Sequence, residues 1–237
     1  MEVKFLIAQG DPLTPARMTK NSFTAFGEYI LSKQVEITIV PGMNSDERNT
    51  EKKKLFWFAP PTKNKGMRRR KGNMASCAFG CADIDESTPD AAAALMPVLE
   101  WYSMLMYHTA SSTPENPRIR LVCEYSRLVS PDERQAISKA FESKLMQEAG
   151  FALDSITGQK ARWVKGSDYL VLDRSVYGAQ SYLYCPHVGA ESHLYHGEVI
   201  DVDSLPLPVT EPKSNKATST TAKSKQSNTD ESDYREK

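Results

Sequence analysis

Ala75-Ser76-Cys77-Ala78-Phe79-Gly80-Cys81-Ala82-Asp83-Ile84-Asp85 is an apolar run that closes on two carboxylates. Uncharged before Asp83, it reads as a buried strand over residues 75–84 that ends at the acidic pair. Residues two apart on a strand point to one side, so Asp83 and Asp85 project together, their Cα atoms roughly 6.5–7 Å apart. Ile84 points into the opposite layer. Two carboxylates so placed suit Mg²⁺ or Mn²⁺, hard ions that take oxygen ligands. A pair of such ions about 3.5–4 Å apart stabilises both the attacking and the leaving oxygen at phosphorus. An Asp-x-Asp pair alone is more often two surface acids. Its position, at the end of a buried strand and just after a basic stretch, favours the functional reading.

That stretch gathers Lys52, Lys53, Lys54, Lys63, Lys65, Arg68, Arg69, Arg70 and Lys71, although the net charge of the 237 residues is zero. Basic residues beside clustered acids suit a site that holds phosphates and cations together; the plain alternative is a solvated loop over residues 60–72. Upstream, residues 3–7, 35–40 and 55–58 read as strands and residues 23–31 as a short helix. Downstream, Ser87-Thr88-Pro89-Asp90 is a helix start, and Pro97 is expected to kink or end that helix. Residues 103–108 and 119–125 read as strands. Ser130-Pro131-Asp132-Glu133 opens a helix whose apolar face is Ile137, Ala140, Phe141, Leu145 and Met146, with Gly150 as its stop. Residues 169–172 and 182–184 read as further strands. The mixture without strict alternation predicts an α+β fold, a mixed or antiparallel sheet core with flanking helices. The chain divides into a folded unit over residues 1–207, with an N-terminal part (1–70) and a core (71–207). Residues 208–237, rich in Ser, Thr, Lys and Asn, read as a disordered tail or linker.

No apolar run is long enough to span a bilayer and no signal-like segment opens the chain, so the expected compartment is the cytoplasm, with no membrane partner. Cys77, Cys81, Cys123 and Cys185 form no CxxC pair and read as buried free thiols. Cys185, His187, His193 and His196 fall within twelve residues, a weak zinc candidate in a segment that reads as a hairpin with Gly189 and Gly197.

Several segments then resemble one family in order. Ala82-Asp83-Ile84-Asp85 is followed by Tyr107-His108-Thr109-Ala110-Ser111-Ser112-Thr113-Pro114-Glu115-Asn116-Pro117-Arg118-Ile119-Arg120-Leu121. Next come Ser126-Arg127-Leu128-Val129-Ser130-Pro131-Asp132-Glu133, then Leu172-Asp173-Arg174-Ser175-Val176-Tyr177, then Tyr184-Cys185-Pro186. Over residues 70 to 205 this resembles the archaeo-eukaryotic primase superfamily, most of all the primase-polymerase domains of phage, plasmid and integrated-element replication proteins. The resemblance implies an RRM-like catalytic core. It implies that Asp83, Asp85 and the later Asp173 bind catalytic Mg²⁺ or Mn²⁺, with Asp154 a weaker candidate for the third place. It places Arg118 and Arg120, two apart on one strand, toward triphosphate or template phosphates, and Arg70, Lys71 and Asn73 as a basic-and-asparagine element before the acidic strand. Two positions depart from the family pattern. Ser112 stands where the family usually has a histidine at the incoming nucleotide, and Ser181 where it often has an arginine. Serine donates a hydrogen bond to phosphate but brings no charge.

The function implied is a DNA primase or primase-polymerase domain joining nucleoside triphosphates on a single-stranded DNA template. The alternative is a catalytically weakened relative that binds DNA in replication initiation. A metal-dependent nuclease is a third class that the same carboxylates could serve. The resemblance also implies a replicative helicase or other replication protein as a partner, since such domains are often fused to a helicase or work beside one; the chain has no GxxxxGK[ST] loop to supply that motor itself.

Overall fold

The structure is a computed structural model and describes residues 1–10, 15–40 and 42–206. In chain order its elements are β1 (Val3–Gln9), β2 (Ala16–Lys20), α1 (Phe23–Leu31), α2 (Ser45–Lys52), β3 (Phe56–Ala59), β4 (Cys77–Ser87), α3 (Pro89–Leu99) and β5 (Ser103–His108). Then follow β6 (Ile119–Val129), α4 (Arg134–Glu148), β7 (Ala152–Thr157), β8 (Lys160–Lys165), β9 (Asp168–Asp173), β10 (Leu183–Tyr184) and β11 (Ser192–His196). They build two sheets, a four-stranded one in the order β10-β3-β1-β2 and a seven-stranded one in the order β11-β5-β6-β4-β9-β8-β7. All pairings between these strands are antiparallel. The α+β expectation is met.

β4 is the spine of the large sheet. Every residue from Cys77 to Ile84 is buried, and the strand has ladder partners on both sides, β6 and β9. Helix α1 starts at Ser22, whose hydroxyl accepts from the Ala25 amide, and turns Phe23, Phe26 and Ile30 inward. Phe26 ties the two sheets together. Its ring lies 4.9 Å from Phe5 on β1, 5.7 Å from Phe58 on β3 and 5.2 Å from Phe79 on β4. Helix α4 packs the predicted face, with Ile137, Ala140, Phe141, Leu145 and Met146 all buried. Its start is held by reciprocal bonds: the Ser130 amide donates to Glu133 (3.0 Å) and the Glu133 amide to the Ser130 hydroxyl (3.4 Å).

Four local expectations are corrected. β4 does not stop at the acidic pair. It runs three residues past Ile84, because β9 supplies partners to Glu86 and Ser87. Residues 35–40 are not a strand: Val35 alone makes a bridge, to His187, and without a flanking ladder β-propensity has nothing to pair with. Pro97 does not end α3, which continues to Leu99. The carbonyl that Pro97 leaves without its usual helical donor belongs to Ala93, an exposed residue. Residues 185–196 are not a hairpin: β10 joins the small sheet and β11 pairs β5 in the large one. The β7–β8 hairpin, β2, α2 and β11 were not anticipated. The segment 208–237 lies outside the described residues.

Candidate active site

The antiparallel register assembles the site. Tyr107 on β5 is opposite Arg120 on β6, and Arg120 is opposite Asp83 on β4. On the other flank Asp173, ending β9, is opposite Lys160, which begins β8. The pairing of β4 with β9 slips between Ile84 and Glu86, so Asp85 has no β9 partner in the ladder. Such bulges re-aim side chains beside functional sites. The outcome is a row of alternating charge across one face of the large sheet, with Ile84 and Leu172 buried in the layer behind.

The two acids are held differently. Asp83 is almost enclosed, and both its oxygens sit in the Arg120 fork, Nε to Oδ1 at 3.0 Å and Nη2 to Oδ2 at 2.9 Å. The remaining Arg120 nitrogen, Nη1, donates to the Tyr184 carbonyl (3.2 Å), which also accepts from the Tyr107 hydroxyl (2.7 Å). Burial opposes the Arg120 charge, but Asp83 outweighs it and keeps the guanidinium protonated. Burial likewise pushes the Tyr107 phenol well up, so it stays a donor. Asp85 is more open, its side chain 33% exposed, and it meets two cations: Arg118 Nη1 at 3.1 Å and the Lys160 ammonium. Burial raises its pKa, and the Lys160 hydrogen bond and the two positive charges more than reverse that, leaving it below the ordinary carboxylate value. Lys160 Nζ also reaches Asp173 Oδ2 at 3.9 Å, while Asp173 Oδ1 accepts from the Ser175 amide.

Asp83, Asp85, Arg118 and Arg120 line a cavity of about 270 Å³ between the large sheet and the end of α2; Asp173 lies outside its lining. Lys52, the last residue of α2, points into it. Among the described residues Lys52 makes no ion pair, and its pKa is lowered first by burial and then by Arg118 and Arg120. The Nε of Arg118 is buried without a hydrogen-bond partner. The cavity therefore carries more cationic capacity than its carboxylates use, and that surplus suits an anion.

Do the residues fit a divalent ion? The donor chemistry does, because Asp83, Asp85 and Asp173 supply only hard oxygens from one sheet face. Asp85 and Asp173 already share one cation, the Lys160 ammonium, whose half-exposed flexible stem can withdraw. Asp83 is spent on Arg120. Among the described residues no three His, Cys, Asp or Glu side chains are grouped to hold a metal, which applies equally to the zinc candidate. Cys185 is buried after β10, His187 sits at the Val35 bridge, and His193 and His196 ride on β11 in the other sheet.

The other predicted residues fall as follows. Ser112 Oγ accepts from the Arg118 amide (3.0 Å) and meets His108 Nδ1 (3.0 Å), so this hydroxyl anchors the turn before β6. Ser181 Oγ donates to the Ser175 carbonyl. Arg70, Lys71 and Asn73 lie in and beside a short 3-10 turn before β4. They do not line the cavity; Lys71 lines a separate depression with Gln159 and Ser175. Asp154 is exposed on β7, the edge strand, near Arg162. Lys52 and Lys160 were missed as site residues. The Asn44-x-x-Glu47 capping box would have revealed α2, and Gly166-Ser167 the turn that returns Asp173 to Lys160.

Among protein families, the model of the VapE N-terminal domain matches residues 42–164, just over half of the chain. That match fits the resemblance drawn from the motifs. Among solved structures, the AEP domain of the cyanophage S-2L primase-polymerase is similar with a TM-score of 0.39 and 10% identity, over 85% of each chain. No curated protein matches. No described helix is long and apolar enough to cross a membrane.

Proposed function

The chain belongs to the VapE N-terminal domain family, and from that premise we propose that it is a primase-polymerase domain joining nucleoside triphosphates on a single-stranded DNA template in the replication of a phage or other mobile element. The observation that carries this reading is the charged row on one sheet face, where Asp83, Asp85 and Asp173 alternate with Arg118, Arg120 and Lys160 beside a cation-rich cavity. Residues 1–207 act as one unit in this reading, with 1–70 closing the cavity over the core 71–207.

Each residue's part follows from what it already holds. Arg120, with Asp83 and the Tyr184 carbonyl, is a strut that orients Asp83. Lys52 and Arg118 keep unused donor capacity and take the triphosphate. An incoming phosphate competes with Asp85 for Arg118 and frees a carboxylate oxygen. Asp85 and Asp173, with Asp83 beside them, would hold Mg²⁺ or Mn²⁺, which supplies Lewis-acid stabilisation of the attacking and leaving oxygens. Ser112 keeps the turn that carries Arg118 in place, in a region where the family pattern has a charged group. A replicative helicase working beside this domain would open the template.

A second reading is favoured by the full commitment of Asp83 to Arg120 and by serines at 112 and 181. In it the domain binds DNA without synthesis. Primer synthesis and extension with Mg²⁺ or Mn²⁺, using both ribo- and deoxyribonucleotides, separates the two. Synthesis by the wild type that Asp85→Ala abolishes supports the first. Equal activity in an Asp83→Ala, Asp85→Ala double variant would sink the site assignment. Salt-sensitive DNA binding with no incorporation would leave the second.

A further inference from the structure

The cavity at the acids is not isolated. Tyr182 lines both it and a second depression of about 260 Å³ that contains Arg69 and Ser181. Ser175 and Gln180 line that second depression and also a third, of about 370 Å³, bounded by Lys71, Gln135 and Gln159. Through these shared residues the three lie in sequence from the cavity at Asp85, by way of Tyr182 and Ser175, to the start of α4. Ser175 fixes the path to the site, because its amide holds Asp173 Oδ1 at 2.9 Å.

The wall chemistry is specific. Lys71, Gln135, Gln159, Ser175, Gln180 and Tyr182 are all exposed. The acid lining the second and third depressions is Asp132, against Lys71 and Arg69. Arg69 lies over the Tyr182 ring with its guanidinium carbon 4.5 Å from the centroid, and over Trp57 at 5.2 Å. Its neighbours Arg68 and Arg70 are exposed in the same loop. A cationic track with an exposed aromatic ring and planar groups along it matches an unpaired polynucleotide, whose phosphates need charge and whose bases stack on flat surfaces. The amide side chains add donors and acceptors for base edges without demanding one sequence.

We propose that this path, from Tyr182 through Ser175 to Lys71 and Gln159, is the track for the single-stranded nucleic acid that approaches the acids. The proposal rests on the primase-polymerase reading for its direction, since the track leads to Asp85, but its occupant is tested without synthesis. Fluorescence anisotropy of the full 237-residue chain with a short labelled oligothymidylate, across a salt series, reads it directly. Lys71→Glu and Tyr182→Ala should each weaken binding roughly tenfold. Lys71→Gln should lower the salt slope by about 0.7, the share of one single-strand phosphate. Unchanged affinity and slope in a Lys71→Glu, Gln159→Ala double variant, whose substitutions are at exposed positions, would overturn the track. So would equal binding of a duplex of the same length. Asp85→Ala separates the claims. Loss of synthesis with retained oligothymidylate affinity supports both. Retained synthesis removes the catalytic reading, while the anisotropy results alone judge the track.

Discussion

At Lys52 the cavity keeps a cation whose charge is costly. Burial and the neighbouring Arg118 and Arg120 lower its pKa, so it loses its proton at a lower pH than an exposed lysine does. Phosphate binding needs the charged form. Nucleotide affinity should therefore fall as pH rises through that lowered pKa, earlier than the ordinary lysine range allows. Lys52→Arg, which stays charged, should flatten the decline; calorimetric titration of a nucleoside triphosphate across alkaline pH checks this. Lys160 poses the opposite question, since its ammonium occupies the space between Asp85 and Asp173. With Lys160→Ala the two carboxylates lose their internal counter-ion, and Mn²⁺ binding, read by electron paramagnetic resonance, should tighten severalfold. Unaltered Mn²⁺ affinity would argue against these two acids as joint ligands.

Among the elements, α2 and β4 place the site by different physics. Helix α2 buries no residue, so packing contributes little to it. The Asn44 side chain accepts from the Asp46 and Glu47 amides, and Glu47 answers to the Asn44 amide. Asn44→Ala removes this cap at a cost of about 1 kcal/mol. The expected signature is a raised KM for nucleotide, because Lys52 ends the helix, with a small change in Tm. β4 is instead locked from both faces. A Cβ on Gly80 would stand 2.0 Å from the Tyr125 hydroxyl, and that tyrosine is fully buried. Gly80→Ala should cost about 1–3 kcal/mol as β6 is pushed off β4. Chemical denaturation measures it, and a stability equal to wild type would contradict the packing described.

At the scale of the whole molecule, the larger of two apolar clusters among the described residues joins Phe5 and Phe58 of the small sheet with Phe79 and Leu121 of the large one; Leu6, Trp57, Ala59, Met74 and Ala179 form the other. The cavity lies where the sheets meet, so its shape depends on both. Phe26 joins them, and Phe26→Ala should remove about 3–5 kcal/mol. It should lower one cooperative transition, seen alike by far-ultraviolet dichroism and tyrosine fluorescence, and should weaken nucleotide binding in step. Two separated transitions would mean that residues 1–70 and 71–207 fold as independent units.

Much of this was written in local pattern. The apolar run before Asp83 specified a buried strand, the 3.6-residue spacing from Ile137 to Met146 specified the buried face of α4, and the two-residue spacing put Asp83 with Asp85 and Arg118 with Arg120. These follow from backbone geometry that each residue carries with it. Which acid meets which cation is another matter. The register of β4 against β6 sets Asp83 opposite Arg120, the slip beside Glu86 releases Asp85 toward Arg118 and Lys160, and the docking of α2 brings Lys52 to the same cavity. Those pairings join residues 30 or more positions apart, and local spacing holds no information about register. The chain's own residues name the acids, and the packing of the two sheets chooses their partners.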